Sequence, residues 1–181
     1  TAVNAGTTSV TATITVTPTA AGCAGLPQTF TITVNPTPTV VQPANQVLCN
    51  GATTNTITFA GAVSGTSFSW SNNNNTIGLP VSGTGNIASF TAINLTNAPV
   101  TATITVTPTA AGCAGAPQTF TITVNPTPTV VQPANQVLCN GATTNTITFA
   151  GAVSGTTYSW INSNTSIGLA GSGNGNIPSF T

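Results

Sequence analysis

The chain has 181 residues and contains no Lys, Arg, Asp, Glu or His, so its formal net charge is zero. Acid–base catalysis, activation of a nucleophile, calcium or zinc coordination and neutralisation of phosphates all draw mainly on these side chains. The composition therefore predicts a protein that is not an enzyme, holds no metal or other cofactor and does not bind nucleic acid.

The chain is nevertheless expected to fold, because it is rich in Thr, Val and Ile, whereas disordered chains are poor in β-branched residues. No apolar run approaches the length of about 18 residues that would indicate a membrane span, and no signal peptide is recognisable. Since the sequence also lacks Met, we expect an interior segment of a longer mature protein, without membrane insertion of this segment.

An internal repeat organises the sequence. Residues Thr11–Thr66 recur at Thr101–Thr156 with a single change, Leu26 to Ala116, so the period is 90 residues. Such near-identity indicates tandem duplication. A period of this length is too long for a solenoid turn and matches one immunoglobulin-sized domain.

Proline-rich stretches mark the boundaries between repeats, at Asn35–Thr39 and again at Asn125–Thr129. Proline fixes φ, removes a backbone donor and restricts the preceding residue, so neither a helix nor a central strand continues through them. The predicted linker residues are Pro36, Pro38, Pro126 and Pro128. The predicted domains are the C-terminal part of one repeat (1–36), a complete repeat (37–126) and the N-terminal part of the next (127–181).

Within the complete repeat, alternation of apolar and polar residues predicts short strands separated by Gly, Pro and Asn clusters. They are expected at 40–48 with a break near Pro43, and at 55–60, 67–70, 87–93, 100–107 and 119–124. In the second strand, Thr54, Thr56 and Thr58 are expected on one face and Asn55, Ile57 and Phe59 on the other. This pattern is typical of an all-β, two-sheet antiparallel sandwich of immunoglobulin type.

The aromatic residues are interpreted as core. Trp70 and Trp160 end the third predicted strand, where a tryptophan in such sandwiches packs beneath an inter-sheet disulfide. A platform for stacking a sugar is the alternative, but no acidic partner accompanies these rings. The residues predicted to fill the core are Trp70, Trp160, Phe59, Phe90 and Phe120.

Each period carries two cysteines, and we expect Cys49 and Cys113 to form a structural disulfide within the complete domain, in an oxidising compartment. On this hypothesis Cys23 and Cys139 pair with cysteines outside the sequence. Free buried thiols are one alternative, and pairs Cys23–Cys49 and Cys113–Cys139 across the linker are another.

Two surface features leave further alternatives open. The regular threonine rows resemble ice-binding surfaces, although Thr is also simply a β-branched residue that tolerates water. Three stretches match the acceptor pattern for N-linked glycans. They begin at Asn74, Asn94 and Asn164.

Five stretches carry a family resemblance: Pro36-Thr-Pro-Thr-Val, Gln46-Val-Leu-Cys-Asn-Gly, Thr66-Ser-Phe-Ser-Trp-Ser, Gly85-Asn-Ile-Ala-Ser-Phe and Thr119-Phe-Thr-Ile-Thr-Val-Asn-Pro. They resemble the PKD-like, immunoglobulin-like tandem repeats of very large Bacteroidota surface proteins. The resemblance covers the whole sequence and implies type IX secretion, a sorting domain outside these residues and a role in a long adhesin or filament stalk. The Asp-rich strand motif common in PKD-like domains is missing.

The sequence thus predicts a non-catalytic stalk or filament segment of an extracellular, cell-surface adhesin or fibre. Its expected partners are neighbouring repeats of the same chain and, through uncharged strand edges, other chains associating laterally. The alternative is a glycan- or surface-binding module in which each repeat uses the region that varies between copies, Ser67–Ala88 and Thr157–Pro178.

Overall fold

The computed structural model describes residues 1–181 as an almost entirely β chain, which confirms the predicted all-β class. The strands are β1 (Val10–Val16), β2 (Thr19–Ala20), β3 (Cys23–Ala24), β4 (Gln28–Val34), β5 (Gln46–Cys49), β6 (Ser67–Asn72), β7 (Ser82–Thr84), β8 (Val100–Ala110), β9 (Cys113–Ala114), β10 (Gln118–Asn125), β11 (Ser159–Ile161) and β12 (Ser172–Asn174). Two single-turn 3-10 helices lie at Asn75–Ile77 and Thr165–Ile167.

The largest sheet belongs to the predicted complete repeat and has the order β5-β10-β8-β6-β7, with β9 paired to β8. Strands β8 and β10 are antiparallel, with Gln118 opposite Val106 and Val124 opposite Val100. Strand β5 pairs with β10 in parallel. Strand β8 buries every second side chain from Ala102 to Ala110, as its alternating sequence predicts.

A second layer covers the inner face of this sheet. It consists of residues 53–59 and 87–91, which meet at two isolated bridges, Thr53–Thr91 and Ile57–Ile87. The Ile57 N–H donates to the Ile87 carbonyl at 2.9 Å, and the Ile87 N–H donates back at 3.0 Å. The two layers are consistent with the β-sandwich predicted from the sequence.

The hydrophobic core lies between the two layers and draws only on residues 40–124. Phe59 and Phe120 approach with ring centroids 6.4 Å apart, and the ring centroid of the partly buried Phe68 lies 5.7 Å from that of Phe59. Full burial of one such side chain stabilises a fold by roughly 1.5–3 kcal/mol. The middle segment therefore has its own core, as an independently folding domain requires.

The first predicted strand, at 40–48, is wrong for most of its length, since only Gln46–Cys49 is a regular strand. In the residues before β5, side chains make the hydrogen bonds to β10 that a strand would make with its backbone. The Asn45 side-chain oxygen accepts from the Thr121 N–H at 2.8 Å, and the Gln42 amide donates to the Thr119 carbonyl. Pro43 interrupts the backbone ladder between them, because it has no N–H.

The strands predicted at 55–60 and 87–93 are reduced to the isolated bridges, and the facing predicted for residues 54 and 55 is wrong. Thr54 is buried and Asn55 is exposed. The Thr54 hydroxyl accepts from the Phe90 N–H at 3.0 Å, whereas the Asn55 backbone is held outward by the Gln46 side chain. These side-chain bonds shift the alternation by one residue.

The flanking segments repeat the local structure of the corresponding parts of the middle domain. Strands β1 and β4 pair in the register of β8 and β10, and β11 pairs with β12 as β6 does with β7. Phe30 is 51% exposed, whereas the equivalent Phe120 is 1% exposed. Each flanking segment therefore has some of the strands of a repeat without its enclosed core, and the last segment lacks the equivalent of β5.

Candidate functional site

The chain enters and leaves the middle domain at opposite ends. Because β5 is parallel to β10, the entering residues 38–49 run from the hairpin Pro108–Gly115 towards Asn125. We call the end with this hairpin the upper end and the end with Asn125 the lower end. The eleven residues of β8 between them span roughly 36 Å at about 3.3 Å per residue.

At the upper end, the linker is packed against the domain. Pro36 and Pro38 are buried, and a Cβ atom added to Gly115 would lie 1.8 Å from the Pro38 carbonyl oxygen. A Cβ added to Gly61 would lie 2.0 Å from the carbonyl oxygen of Thr39. Two glycines thus permit a close approach of the linker backbone, which larger residues would prevent. At the second linker Pro126 is buried and Pro128 is exposed.

One direct contact crosses the junction between the first segment and the middle domain. The Asn35 side-chain amide donates to the carbonyl of Ala111, at the tip of the upper-end hairpin, at 3.0 Å. Ala111 has a φ of 47°, a left-handed conformation of the kind found in tight turns. Asn35, in the first linker stretch, is thereby bonded to the hairpin of the middle domain.

At the lower end, two asparagines close the domain around the exit of the chain. The Asn94 amide donates to the carbonyls of Val124 at 2.7 Å and Ala98 at 2.8 Å, and the Asn94 N–H donates to the Asn50 side chain at 2.9 Å. The Asn50 amide donates to the Thr127 hydroxyl at 3.1 Å. Asn94 is buried, so these bonds satisfy polar groups that water does not reach.

The predicted disulfide between Cys49 and Cys113 is not formed, since all four cysteines are free. The strand register gives the physical reason. Cys49 lies opposite Asn125 at the lower end, whereas Cys113 lies opposite Ala110 at the upper end. About ten residues of β8 separate these levels, roughly 33 Å, whereas a disulfide needs Cα atoms about 4.4–6.8 Å apart.

The alternative pairs Cys23–Cys49 and Cys113–Cys139 meet the same obstacle. Each would join the upper end of one repeat to the lower end of the repeat that follows it. All four cysteines are free, so the linker-crossing arrangement considered from the sequence is not formed either.

Trp70 lies in the core, 9% exposed, and its ring packs on Gly83 of the paired strand β7. A Cβ added to Gly83 would lie 2.2 Å from the ring. Trp160 has the same contact with Gly173 but is only half-buried. No disulfide lies over Trp70, and its indole nitrogen has no hydrogen-bond partner. The ring is buried against its own domain and is not presented as a platform for a sugar.

Of the other residues predicted as core, Phe59 and Phe120 are buried and Phe90 is half-buried at the edge of the core. Phe149 and Tyr158, which correspond to Phe59 and Phe68, keep the same ring pairing at 5.7 Å in the last segment.

The region that varies between the copies differs mainly in exposed side chains. The positions that differ are 67, 68, 71, 73, 75, 76, 80, 81, 84 and 88, and all of them except the half-buried Phe68 are exposed. The buried residues Trp70, Ile77 and Leu79 are identical in the last segment. The variation therefore follows solvent exposure along β6 to β7 and does not outline a shared binding pocket.

The structure shows the surroundings of the threonine rows and of one of the glycan acceptor asparagines. Thr101 and Thr123 bond side chain to side chain across β8 and β10 at 2.9 Å, as Thr11 and Thr33 do in the first segment. Such cross-strand pairs stabilise a sheet. Of the acceptor asparagines, Asn94 is buried in the folded domain.

The apolar faces of the two flanking segments correspond to surfaces that meet in the middle domain. Residues 127–181 line an open groove of about 650 Å³ with Ile147, Phe149 and Ile177 among its walls. Their equivalents Ile57, Phe59 and Ile87 are buried in the middle domain beneath the β8–β10 hairpin. The groove thus corresponds to the core-facing surface of a repeat.

No group of three or more potential metal-ligating side chains is present. No helix is long and apolar enough to span a membrane. No curated protein is significantly similar to the chain.

Comparison with protein families gives one match, over residues 46–128, to the PKD-like domain. The chain contains a PKD-like domain. The matched residues run from the start of β5 to the second linker and include every strand of the middle sheet. PKD-like domains are generally extracellular, immunoglobulin-like modules with adhesive or structural roles, and they are typically non-catalytic.

Proposed function

We propose that the chain is a non-catalytic stalk or filament segment of a repetitive extracellular surface adhesin or fibre. The observation that carries the proposal is the position of the two linkers at opposite ends of the PKD-like domain, with Pro36 and Pro38 buried at the first of them. Repeats joined in this way stack end to end, so each added repeat lengthens the structure.

Rigidity at the junction favours a rod over a flexible string. Two buried prolines restrict the linker backbone, and the Asn35–Ala111 hydrogen bond ties the linker to the following hairpin. Since the chain has no charged side chains, neither repulsion within the rod nor salt screening alters this arrangement.

Surface display belongs to the proposal as well. The typical extracellular setting of PKD-like domains and the resemblance to Bacteroidota surface repeats support a cell-surface location reached by type IX secretion. On this proposal an adhesive tip lies outside these residues, and the repeats hold it away from the cell.

Lateral association of chains is a further part of the proposal. Natural sheets use edge charges to prevent strand-to-strand pairing. The edge strands β5 and β7 carry no charge, so parallel stalks have little electrostatic reason to stay apart. An apparent molar mass from static light scattering that rises with concentration supports this association, and a molar mass that stays at the monomer value contradicts it.

Small-angle X-ray scattering tests the stalk. The chain would be compared with versions lengthened after Thr181 by one and by two copies of residues 92–181, each copy adding one period. We expect the maximum dimension to grow linearly by roughly 35–40 Å per period. Growth well below this, as for folded-back or freely bending domains, would refute the rod. A glycan array on the same proteins tests the glycan-binding alternative, and reproducible binding of a defined sugar would favour it.

A further inference from the structure

The two cysteines of each repeat lie at the two surfaces that meet when repeats stack. Asn35 and Asn125 occupy the same position in successive repeats, one period of 90 residues apart. Asn35 bonds to the hairpin of the repeat that follows it, through the Ala111 carbonyl. The repeat that follows Asn125 therefore places its own hairpin against Asn125.

Cys49 is the neighbour of Asn125 in the sheet. The parallel register of β5 and β10 sets the two residues side by side, with Cα atoms about 4.8 Å apart. Cys49 is exposed at this lower end. Cys49 is therefore the exposed strand neighbour of the residue that receives the next hairpin.

The hairpin carries the second cysteine. Cys113 comes two residues after Ala111, and its sulfur lies 4.0 Å from the Ala111 carbonyl oxygen that Asn35 contacts. Cys113 is half-buried, and its side chain is turned towards the tip of the hairpin that meets the preceding repeat.

From these contacts we infer that Cys49 forms a disulfide with the hairpin cysteine of the following repeat, so that one disulfide spans each junction. Cys113 pairs in the same way with the lower-end cysteine of the preceding repeat. The two thiols lose two protons and two electrons to form the S–S bond. A disulfide oxidant such as glutathione disulfide accepts them and is reduced to two thiols.

This pairing rule agrees with the free thiols of residues 1–181. A junction pair joins a lower-end cysteine to a hairpin cysteine of the next repeat. Cys49 and Cys139 are the lower-end cysteines, and Cys23 and Cys113 are the hairpin cysteines. None of the four is a lower-end cysteine whose following repeat has its hairpin cysteine within these residues, and all four are free.

The disulfide would give each junction a second covalent connection beside the proline linker. Without the disulfide, the packed linker is the single covalent connection, and the Asn35–Ala111 hydrogen bond lies beside it. A second connection at the rim of the interface would oppose both twisting and bending. The inference rests on the proposed stalk, because it requires repeats that continue in tandem.

The test uses the chain lengthened after Thr181 by one copy of residues 92–181, which supplies the missing hairpin next to Asn125. At low micromolar concentration, the protein is oxidised with glutathione disulfide, alkylated, separated by size and digested with pepsin. We expect the monomer to lose two hydrogen atoms and to yield one linked peptide pair, which joins the sequence around Cys49 to the sequence around Cys113. The unlengthened chain is the matched control and is expected to keep four alkylated thiols.

Three variants of the lengthened chain assign the link, because Cys49 and Cys139 lie in identical peptides, as do Cys113 and its copy. Cys49→Ser should abolish the linked pair, whereas Cys139→Ser and Cys113→Ser should each leave it intact. Near-UV circular dichroism confirms that the variants keep the packing of their tryptophans. An alkylated Cys49 in the folded lengthened chain, or a link from Cys49 to any other cysteine, would overturn the inference. X-ray scattering of Cys49→Ser separates the two proposals. A variant that stays elongated without the disulfide supports the stalk independently of the disulfide.

Discussion

Replacing Gly115 by Ala tests whether the packed linker stabilises the PKD-like domain. The new Cβ would lie 1.8 Å from the Pro38 carbonyl oxygen, so the linker would have to move by more than 1 Å to reach the shortest contact of about 3 Å that real Cβ atoms show. Pro38 is fully buried, and the chain beyond it is fixed by the bond from the Val41 N–H to the Ala60 carbonyl at 2.8 Å. The linker therefore has little room to yield.

The sign of the effect distinguishes a packed linker from a loose one. Overpacking costs about 1–3 kcal/mol, whereas a Gly to Ala change without a clash stabilises a fold by about 0.4–1 kcal/mol through the unfolded state. We expect Gly115→Ala to lower the free energy of unfolding by about 2 kcal/mol, or the melting temperature by roughly 10 °C for a domain of this size.

Urea unfolding followed by tryptophan fluorescence measures this change. A Trp160→Phe background leaves Trp70 as the only tryptophan, so that the signal reports on the middle domain alone. Ala116→Leu is the matched control, since position 116 is exposed and the first segment carries Leu26 there. The control should stay within about 0.5 kcal/mol of the parent, as surface changes usually do. A Gly115→Ala protein that is as stable as the parent, or more stable, would refute the packed linker.

Three further predictions use the same tryptophan fluorescence. Asn94→Ala should lower the free energy of unfolding by about 2–3 kcal/mol, because it leaves the Val124 carbonyl unpaired at a buried site. Asn73 is exposed, so Asn73→Ala should lower it by less than about 1 kcal/mol. Equal losses for the two variants would contradict this reasoning. Gly83→Ala should expel the Trp70 ring from its position and shift its emission to the red, and an unchanged emission maximum would count against the contact. The free energy of unfolding should stay constant within about 0.5 kcal/mol from about pH 5 to pH 8, and also between low salt and about 0.5 M NaCl. The reason is that no Asp, Glu, His, Lys or Arg is present to titrate or to be screened. A clear dependence on pH or salt would show that this reasoning fails.

The strands that could be predicted from sequence are those whose hydrogen bonds are made by the backbone. Period-2 alternation correctly identified the two long strands, which the structure extends to Val100–Ala110 and Gln118–Asn125. The residues around Asn45 and Thr54 were not predictable in this way, because side chains there take over backbone hydrogen bonds. Hydrophobic alternation contains no information about such bonds.

The positions of the cysteines depend on topology, which the sequence left open. The pairing of Cys49 with Cys113 assumed that the first and last strands of the domain bring their cysteines to the same end. Because β5 runs parallel to β10, the cysteine after β5 lies at the lower end and the hairpin cysteine at the upper end. A single choice between parallel and antiparallel pairing thus decides whether a cysteine staples its own domain or faces its neighbour.

The comparison of the two copies indicates which surfaces a repeat needs. Exposed side chains along β6 to β7 differ between copies, whereas the linker, both cysteines and the glycines that receive the linker are identical. Duplication alone accounts for identity in the shared stretch of 11–66, so identity there cannot by itself mark a function. Their geometry is what gives these residues a role. Asn35 bonds to the hairpin across the junction, and Gly115 lies against Pro38 of the linker. The end surfaces, rather than the loops that vary, are therefore where the proposed stalk would gain its length and stiffness, and they are where substitutions should have their largest effect on its shape.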